Sequence, residues 1–265
     1  MLEYSKEHKN HLKKIKRTNF FVHITQIFII IFILFIWQIL ADKEIINTFL
    51  YSSPYHILNS IINLINQGTL FNHIYITLYE VIISFIISFG IAFIISAMLW
   101  WNRFLSRVFS PFLTVFNSLP KVALGPLIII ISGASIKSII IMSLMISLFI
   151  TIINLYQAFI STNNNYITLL KSFNAKKHEI FFKVVIPSNK ENIISTLKIN
   201  LSMNFIGVIM GELLVSKSGL GYLIMYGSQI FNINLVITSI FILGILSFIL
   251  YYFIIIIEKL IAKKR

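Results

Sequence analysis

The chain contains no cysteine and only nine acidic residues among 265. Without cysteine, neither a disulfide nor a thiolate metal site can form. The sequence also has no glycine-rich loop followed by Lys and Ser or Thr, the pattern that holds ATP phosphates in P-loop proteins. His178-Glu179 is not followed by a second histidine one helical turn later, so the metalloprotease pattern is absent too. We therefore expect no enzyme activity, no metal and no cofactor in this chain.

Charged residues of either sign are also scarce. They make up 12% of the chain, whereas hydrophobic residues make up 57%. Soluble domains are about 25% charged and about 45–50% apolar. The apolar residues occur in blocks of the length that an α-helix needs to cross the hydrocarbon layer, about 20 residues. The composition predicts an all-α, polytopic membrane bundle of about six transmembrane helices.

The chain is predicted to consist of a basic tail at 1–19 and one transmembrane domain at 20–265. The spans are placed at 20–41, 74–100, 108–132, 136–160, 193–214 and 235–257. The third carries Pro111, Pro120 and Pro126, which free backbone groups that lipid cannot satisfy. Such prolines are tolerated where a helix packs on protein or lines a cavity. Both a simple kink in a buried helix and a position on a pathway or subunit interface stay open for Pro120 and Pro126.

The positive charge is concentrated at particular points along the chain. The net charge of +13 comes mainly from the two termini, the 101–107 turn and the 161–192 loop. Basic segments that flank apolar spans mark the cytoplasmic side of a membrane protein. Both termini and the loop are therefore predicted to be cytoplasmic, with the spans in contact with lipid. Nucleic-acid binding is not expected, because no soluble domain presents the basic residues.

The 161–192 loop contains two short apolar helical patterns separated by Asn174-Ala175. The first pattern comprises Tyr166, Leu169, Leu170 and Phe173, and the second comprises Ile180, Phe181 and Val184, with Pro187 closing the unit. Asn tolerates the left-handed backbone that a sharp turn between helices requires. Two short helices with no core of their own are suited to fill a groove on another protein. The alternative, packing back against their own bundle, stays open.

From Thr168 to Pro187 the loop resembles that of the membrane subunits of bacterial ABC importers. That motif has Glu-Ala-Ala, a glycine, and then two aliphatic residues followed by Pro. Val184, Ile186 and Pro187 match its end, whereas Asn174 stands at the glycine position and Thr168-Leu169-Leu170 replace the start. The chain further resembles the nitrate, sulfonate and taurine branch of these membrane subunits, which includes carriers of thiamine precursors and flavins. The residues that carry this resemblance are Leu119-Pro120 through Pro126-Leu127, Glu212 and 218–224. The resemblance covers about residues 55–260.

This resemblance implies the type I ABC importer permease fold in a bacterial plasma membrane. Two such subunits, here a homodimer, would form a pathway for a small solute. The solute would be sulfonate-, nitrate- or taurine-like, or a vitamin precursor such as a thiamine pyrimidine or a flavin. A solute-binding protein would deliver it, and ATP would be bound and hydrolysed only by a cytoplasmic ATPase that receives the loop. The contacting residues would be Tyr166, Thr168, Leu169, Leu170, Phe173, Asn174, Ala175, Ile180, Phe181, Val184, Ile186 and Pro187.

Two carboxylates, Glu80 and Glu212, fall within or near predicted spans. A charge there costs several kcal/mol unless it is paired or hydrated. We therefore expect both side chains to face the pathway or a subunit interface rather than lipid.

Two other functions are compatible with a membrane bundle. A secondary transporter would normally show internal repeats with interrupted helices in matching positions, and none is detectable here. A membrane scaffold that is not coupled to an ATPase would leave the two-helix loop unexplained. Copurification of an ATPase separates the importer from both.

Overall fold

The computed structural model describes residues 6–262, and all the regular elements in that range are helices. The helices are α1 (Lys6–Asp42), α2 (Thr48–Tyr51), α3 (Pro54–Asn66), α4 (Leu70–Trp101), α5 (Arg103–Ser118), a 3₁₀ turn (Lys121–Leu124), α6 (Gly125–Ser132), α7 (Ile136–Ile160), α8 (Asn164–Ser172), α9 (Lys177–Ile180), a π-helical turn (Phe181–Val185), α10 (Ile186–Ser188), α11 (Lys190–Val215), α12 (Leu220–Gln229) and α13 (Ile233–Ala262). Parts of the predicted basic termini, residues 1–5 and 263–265, lie outside the described residues.

Five of these helices are long and apolar enough to cross a membrane. They lie at Phe20–Asp42, Leu70–Trp101, Ile136–Ile160, Lys190–Val215 and Ile233–Leu260. A sixth span is obtained if α5 and α6 are counted together. The prediction of an all-α bundle with about six membrane helices is confirmed.

The third predicted span, 108–132, is not one helix. α5 and the segment Lys121–Ser132 meet at an angle of 82°. Leu119 adopts an extended backbone with ψ of 143°, as a residue before proline is biased to do, and Pro120 follows at ψ of 79°. Pro126 then lies in the first turn of α6, where its missing N–H costs nothing. The expected straight or kinked helix is therefore wrong, because two prolines end one helix and begin another.

The centre of the bundle is α7, which packs against both α4 and α11. Small residues allow the backbones of α7 and α11 to approach closely. A Cβ atom added at Gly207 would lie 2.5 Å from Cα of Ser143, so only glycine fits there.

A polar layer crosses the middle of this three-helix centre. Asn204 Nδ2 donates to Ser88 Oγ at 2.8 Å, and Ser143 Oγ donates to Asn204 Oδ1 at 2.8 Å. Asn200 Nδ2 donates to Thr151 Oγ1 at 2.7 Å. Interhelical hydrogen bonds of this kind hold membrane helices in register. The layer separates a loop end, where residues 161–189 lie, from an opposite end that carries the 216–221 turn.

Candidate functional site at the two ends of the bundle

At the loop end, α8 presents an apolar face that none of the residues in 6–262 covers. Tyr166, Leu169 and Phe173 are 55%, 53% and 75% exposed. Leu170 is half-buried and packs on the bundle, and Thr168 on the other side of the helix is exposed. The helix begins at Asn163, whose side chain accepts a hydrogen bond from Asn165 N at 2.9 Å. The spacing therefore produces the exposed face that the sequence predicts.

The turn after α8 is left-handed at Asn174, where φ is +55°. The N–H of Asn174 donates to Lys171 O at 2.9 Å, and that of Ala175 donates to Leu170 O at 3.1 Å. These bonds satisfy carbonyl groups at the end of the helix, as a left-handed C-terminal cap does. The predicted conformation of Asn174 is confirmed.

The second half of the loop differs from the prediction. Ile180 and Phe181 are 3% and 1% exposed, buried in the chain's own core. The ring of Phe181 lies 5.0 Å from Trp100 and 5.2 Å from Phe159, measured between ring centroids. The expectation that Ile180 and Phe181 present an apolar face to a partner is wrong, because an aromatic pocket at the ends of α4 and α7 already receives them. The outward aromatic residue is Phe182, at 61% exposure.

Three of the remaining predicted residues, Val184, Ile186 and Pro187, lie in the π-helical turn and in α10, just before α11 begins at Lys190. Val184 and Ile186 are half-buried, and so is Pro187, which lies in the first turn of α10. Ala175 is half-buried beside the bundle core. All four residues are thus less exposed than Tyr166, Leu169 and Phe173 on α8.

Glu179 caps the second helix from the water side. Its carboxylate accepts a hydrogen bond from Lys176 N at 2.8 Å and lies 3.1 Å from Lys183 Nζ. The hydrogen bond from the Lys176 backbone, aided by Lys183, lowers the pKa of Glu179 below its ordinary value. Lys177 Nζ donates to Trp101 O, which ties the start of this helix to the end of α4.

At the opposite end, Glu212 is buried and fully engaged by the chain. Thr77 Oγ1 donates to Glu212 Oε1 at 2.6 Å, and Gly221 N donates to Oε2 at 2.5 Å. Leu220 N donates to Thr77 Oγ1 at 2.9 Å, which extends the network. A Cβ atom at Gly219, where φ is +110°, would meet the Glu212 carboxylate at 2.4 Å. The 216–221 turn therefore wraps around Glu212 and requires glycine to do so.

Glu80 lies beside Glu212, close enough for their charges to interact, but its bonding is different. The residue is 0% exposed, and a shared proton can join its carboxyl group to that of Glu212 in a hydrogen bond. None of the other described residues donates to its carboxyl oxygens. Its side chain lines a cavity of about 250 Å³. The cavity is also lined by Ile76, Ala134, Ser135, Ile136, Ile139, Val215, Ser216, Lys217 and Ser218. Both glutamates thus face the interior of their own chain rather than lipid, as the cost of exposing a carboxylate to lipid requires. Their expected position on the pathway or at a subunit interface stays a prediction.

Pro120 and Pro126 lie apart from the two glutamates, at the break between α5 and α6, and both are exposed. Beside them, Lys121 Nζ donates to Asn117 Oδ1 at 3.2 Å and to Ile146 O at 3.2 Å. Within residues 6–262, no three His, Asp or Glu side chains are placed to hold a metal ion.

Sequence reasoning missed the residues that support Glu212. Thr77 is 135 positions away from Glu212, and His73, which accepts a hydrogen bond from Gly219 N at 3.0 Å, is 146 positions from that glycine. His73, Thr77 and Glu80 follow one another on α4 at intervals of about one helical turn, so they form a polar stripe along one face of an apolar helix. This stripe is visible in the sequence and could have indicated a polar site. What the stripe contacts depends on how α4 and α11 pack.

Comparison with known proteins identifies the family. Residues 88–265 match the family described as "Binding-protein-dependent transport system inner membrane component". The formylaminopyrimidine transport permease protein ThiX of Halalkalibacterium halodurans is 29% identical over 187 residues, covering 71% of this chain and 74% of ThiX. The putative aliphatic sulfonates transport permease protein SsuC of Bacillus subtilis is 24% identical over 233 residues, covering 88% and 84%.

A solved structure matches the fold. A chain of the MetNI methionine ABC transporter in an inward-facing conformation superposes with a TM-score of 0.62 at 19% identity. The match covers 73% of this chain and 96% of that one. The predicted type I importer permease fold is confirmed. This chain belongs to the family of binding-protein-dependent transport system inner membrane components, and it is a multi-pass membrane permease of an ABC importer, a family that works with an ATPase and a substrate-binding protein.

Proposed function

We propose that two copies of this chain form the solute pathway of the importer, with the loop end in the cytoplasm. The loop docks into a groove of the ATPase through α8 and the Asn174 turn. Both termini are cytoplasmic, and the binding protein delivers solute at the end that carries the 216–221 turn. ATP is bound and hydrolysed by the ATPase, and this chain carries no catalytic group.

The observation that carries the proposal is the uncovered face of α8. Tyr166, Leu169 and Phe173 are large apolar side chains on a helix that also bears Asn164, Asn165 and Lys171. A short helix with charged and amide residues lies in water rather than in the hydrocarbon layer, so these three side chains need a protein partner to cover them. Asn174 and the half-buried Leu170 border the same face, and the exposed Thr168 lies on the other side of the helix.

The break between α5 and α6 supports a second copy of the chain. Ser118, Leu119 and Pro120 interrupt the helix, and all three are exposed in the single chain. Non-helical backbone within a membrane is tolerated only where protein covers it or water reaches it. In a homodimer, the second copy of the chain would cover this backbone and a central pathway would bring water to it. Pro120 and Pro126 would then lie at the interface or on the pathway.

We infer the class of solute from the solutes for which the relatives are named. One is named for formylaminopyrimidine and another for aliphatic sulfonates. The solute of this chain is accordingly either a sulfonate-, nitrate- or taurine-like anion or a vitamin precursor such as a thiamine pyrimidine or a flavin.

A matched pair of variants tests the docking. Leu169→Glu places a charge on the uncovered face of α8, whereas Asn164→Glu places the same charge on the first turn, where it suits the helix dipole. Leu169 contributes an exposed side chain, so its change should leave membrane insertion intact. We expect the ATPase to copurify at least about tenfold less with Leu169→Glu, because burying an unpaired carboxylate costs more than the ~1.4 kcal/mol of a tenfold effect. Asn164→Glu should retain the ATPase.

Two results would contradict this account. If the ATPase copurifies equally well with Leu169→Glu, α8 is not the docking helix. If no ATPase copurifies with the unaltered chain, the loop does not face a cytoplasmic ATPase at all.

A further inference from the structure

We propose that the end of α4 and the second half of the loop form a binding site for an anionic phospholipid. One acyl chain lies in an apolar groove beside Trp101, and the ammonium group of Lys177 holds the phosphate group. This site needs neither the ATPase nor the binding protein, so it lies beyond the proposed function.

The outer face of α4 is suited to contact lipid. From Ile82 to Trp101, every exposed residue of α4 is isoleucine, methionine, glycine or tryptophan. By contrast, α7 and α11 expose polar side chains such as Gln157 and Ser195. Because polar side chains of membrane helices face protein or water, the lipid-facing side of the bundle is the one that α4 presents.

A groove lies in this face where α4 meets the π-helical turn. It has a volume of about 260 Å³ and is lined by Phe93, Ile94, Ala97, Met98 and Trp101 of α4 and by Phe181 and Phe182 of the turn. The α4 residues extend over two helical turns, about 12 Å along the axis at 1.5 Å per residue. Ile94 and Phe182 are both 61% exposed, so the groove opens outward rather than into the core. An elongated apolar groove that opens on a lipid-facing surface is suited to an acyl chain.

Lys177 places a cation at the end of this groove. Its ammonium group donates to Trp101 O and lies 5.8 Å from the centroid of the Trp100 ring. A lysine has three N–H donors, so two stay available for a ligand. Within residues 6–262, the ion pairs closer than 4.0 Å are Lys183–Glu179 and Lys198–Glu258, so no described carboxylate neutralises Lys177.

The depth of Lys177 matches that of a lipid head group. Tryptophan is enriched where a membrane helix meets the polar layer, and Trp100 and Trp101 end the span of α4. A lysine beside them extends its ammonium group to the same layer. The phosphate group of a lipid whose chain lies in the groove is therefore within reach of Lys177.

The surrounding charge favours an anionic lipid over a zwitterionic one. The segments 101–107 and 176–183 together contain five lysines and arginines and one acidic residue, Glu179. Glu179 is already engaged by Lys183. Basic pockets at the ends of membrane helices attract anionic head groups. A bound lipid would also cover the exposed ring of Phe182 and hold the second half of the loop against α4.

The fluorescence of Trp100 and Trp101, which lie at the proposed site, provides the test. The full chain, with Trp37→Phe to remove the third tryptophan, is reconstituted alone in phosphatidylcholine vesicles. Increasing amounts of brominated phosphatidylglycerol or brominated phosphatidylcholine are included, and bromine quenches the tryptophans that it contacts. We expect phosphatidylglycerol to be preferred at least about fivefold, the effect of one lysine that contributes ~1 kcal/mol near an anionic lipid.

Matched variants in the same background locate the site. Lys177→Gln should abolish the preference and Lys177→Arg should keep it, whereas Lys190→Gln changes an exposed lysine outside the groove and should have no effect. Ile94→Asn places an amide in the groove wall and should lower the preference, because an acyl chain cannot bond to it. Ile86→Asn makes the same change on the same exposed face, outside the groove, and should leave the preference unchanged.

Several outcomes would overturn the proposed lipid site. Equal quenching by the two lipids, or an undiminished preference in Lys177→Gln, would show that Lys177 selects no anionic lipid. Competition by soluble glycerol phosphate would indicate an anion site without an acyl chain. If Lys177→Gln keeps the lipid preference but loses the ATPase on copurification, Lys177 contacts the ATPase instead. If Lys177→Gln fails to insert, the preference of the background chain and the two isoleucine variants still decide. The vesicles contain no ATPase, so the quenching results are independent of the proposed function.

Discussion

The two halves of the 161–189 loop carry apolar residues at similar helical spacing, but they bury different amounts of them. In α8, Leu169 and Phe173 are more than half exposed, whereas in the second half Ile180 and Phe181 are almost completely buried. The ends of α4 and α7 supply a ring of aromatic side chains for Phe181 and nothing comparable for Phe173. The second half therefore anchors the loop to the bundle, and the first half is held out from it.

This comparison divides a single predicted docking surface into two parts with different roles. In the proposed importer, an anchor has to be rigid to transmit movement from the ATPase to the membrane helices, so its apolar residues belong in the core. The proposed docking face has to remain uncovered until the ATPase binds. Asn174 lies between the two parts and sets the angle at which they diverge, through its left-handed backbone.

The largest effect is expected from Phe181→Ala, which should remove the anchor. Truncating a buried Phe costs about 3–5 kcal/mol, because transfer free energy is lost and a cavity remains. Phe182→Ala is the matched control, since its ring is 61% exposed. Thermal unfolding in detergent should show a large drop in melting temperature for the first variant and little change for the second. Equal stability of the two variants would contradict the distinction between anchor and exposed face.

An intermediate effect is expected at the turn between the two halves. A left-handed residue costs roughly 1–2 kcal/mol more when it is not glycine, and a β-branched side chain is the least tolerated. Asn174→Val should therefore reorient α8 relative to the anchor and lower ATPase copurification and stimulated ATP hydrolysis. Asn174→Gly should preserve both. If the valine variant binds and stimulates the ATPase as well as the glycine variant does, the turn does not control docking.

The smallest effect is expected from Glu179→Gln, which weakens the cap of the anchor helix. The pKa of Glu179 is lowered in the folded chain, so its contribution is present above the ordinary carboxyl pKa and is lost as the pH falls through the lowered value. The group is exposed, and salt screens it. Melting temperature measured from neutral to acidic pH should fall slightly more steeply for the unaltered chain than for the variant. Parallel pH profiles would show that the cap contributes nothing to stability.

Much of the fold could be predicted because membrane helices are specified locally. The predicted span at 136–160 coincides with α7. Ser53 caps the start of α3 from the position next to its first residue, Pro54, and its Oγ accepts from His56 N at 3.2 Å. The prediction of one continuous helix at 108–132 was wrong, although Pro120 and Pro126 mark the break in the sequence. Proline limits the conformations of a helix locally, but whether the chain kinks or turns by 82° depends on what packs beside it.

Local sequence was enough to predict the membrane class, most of the helical spans, the left-handed turn at Asn174 and the placement of Glu80 and Glu212 away from lipid. Each of these depends on a short stretch of chain or on the cost of placing a charge in lipid. Packing between distant segments places Phe181 in the core, brings Thr77 and Gly221 to Glu212, and sets Glu80 beside Glu212. Those outcomes depend on contacts between residues far apart in the sequence, such as Thr77 and Glu212, which are separated by 135 positions. No local pattern encodes which helix faces meet.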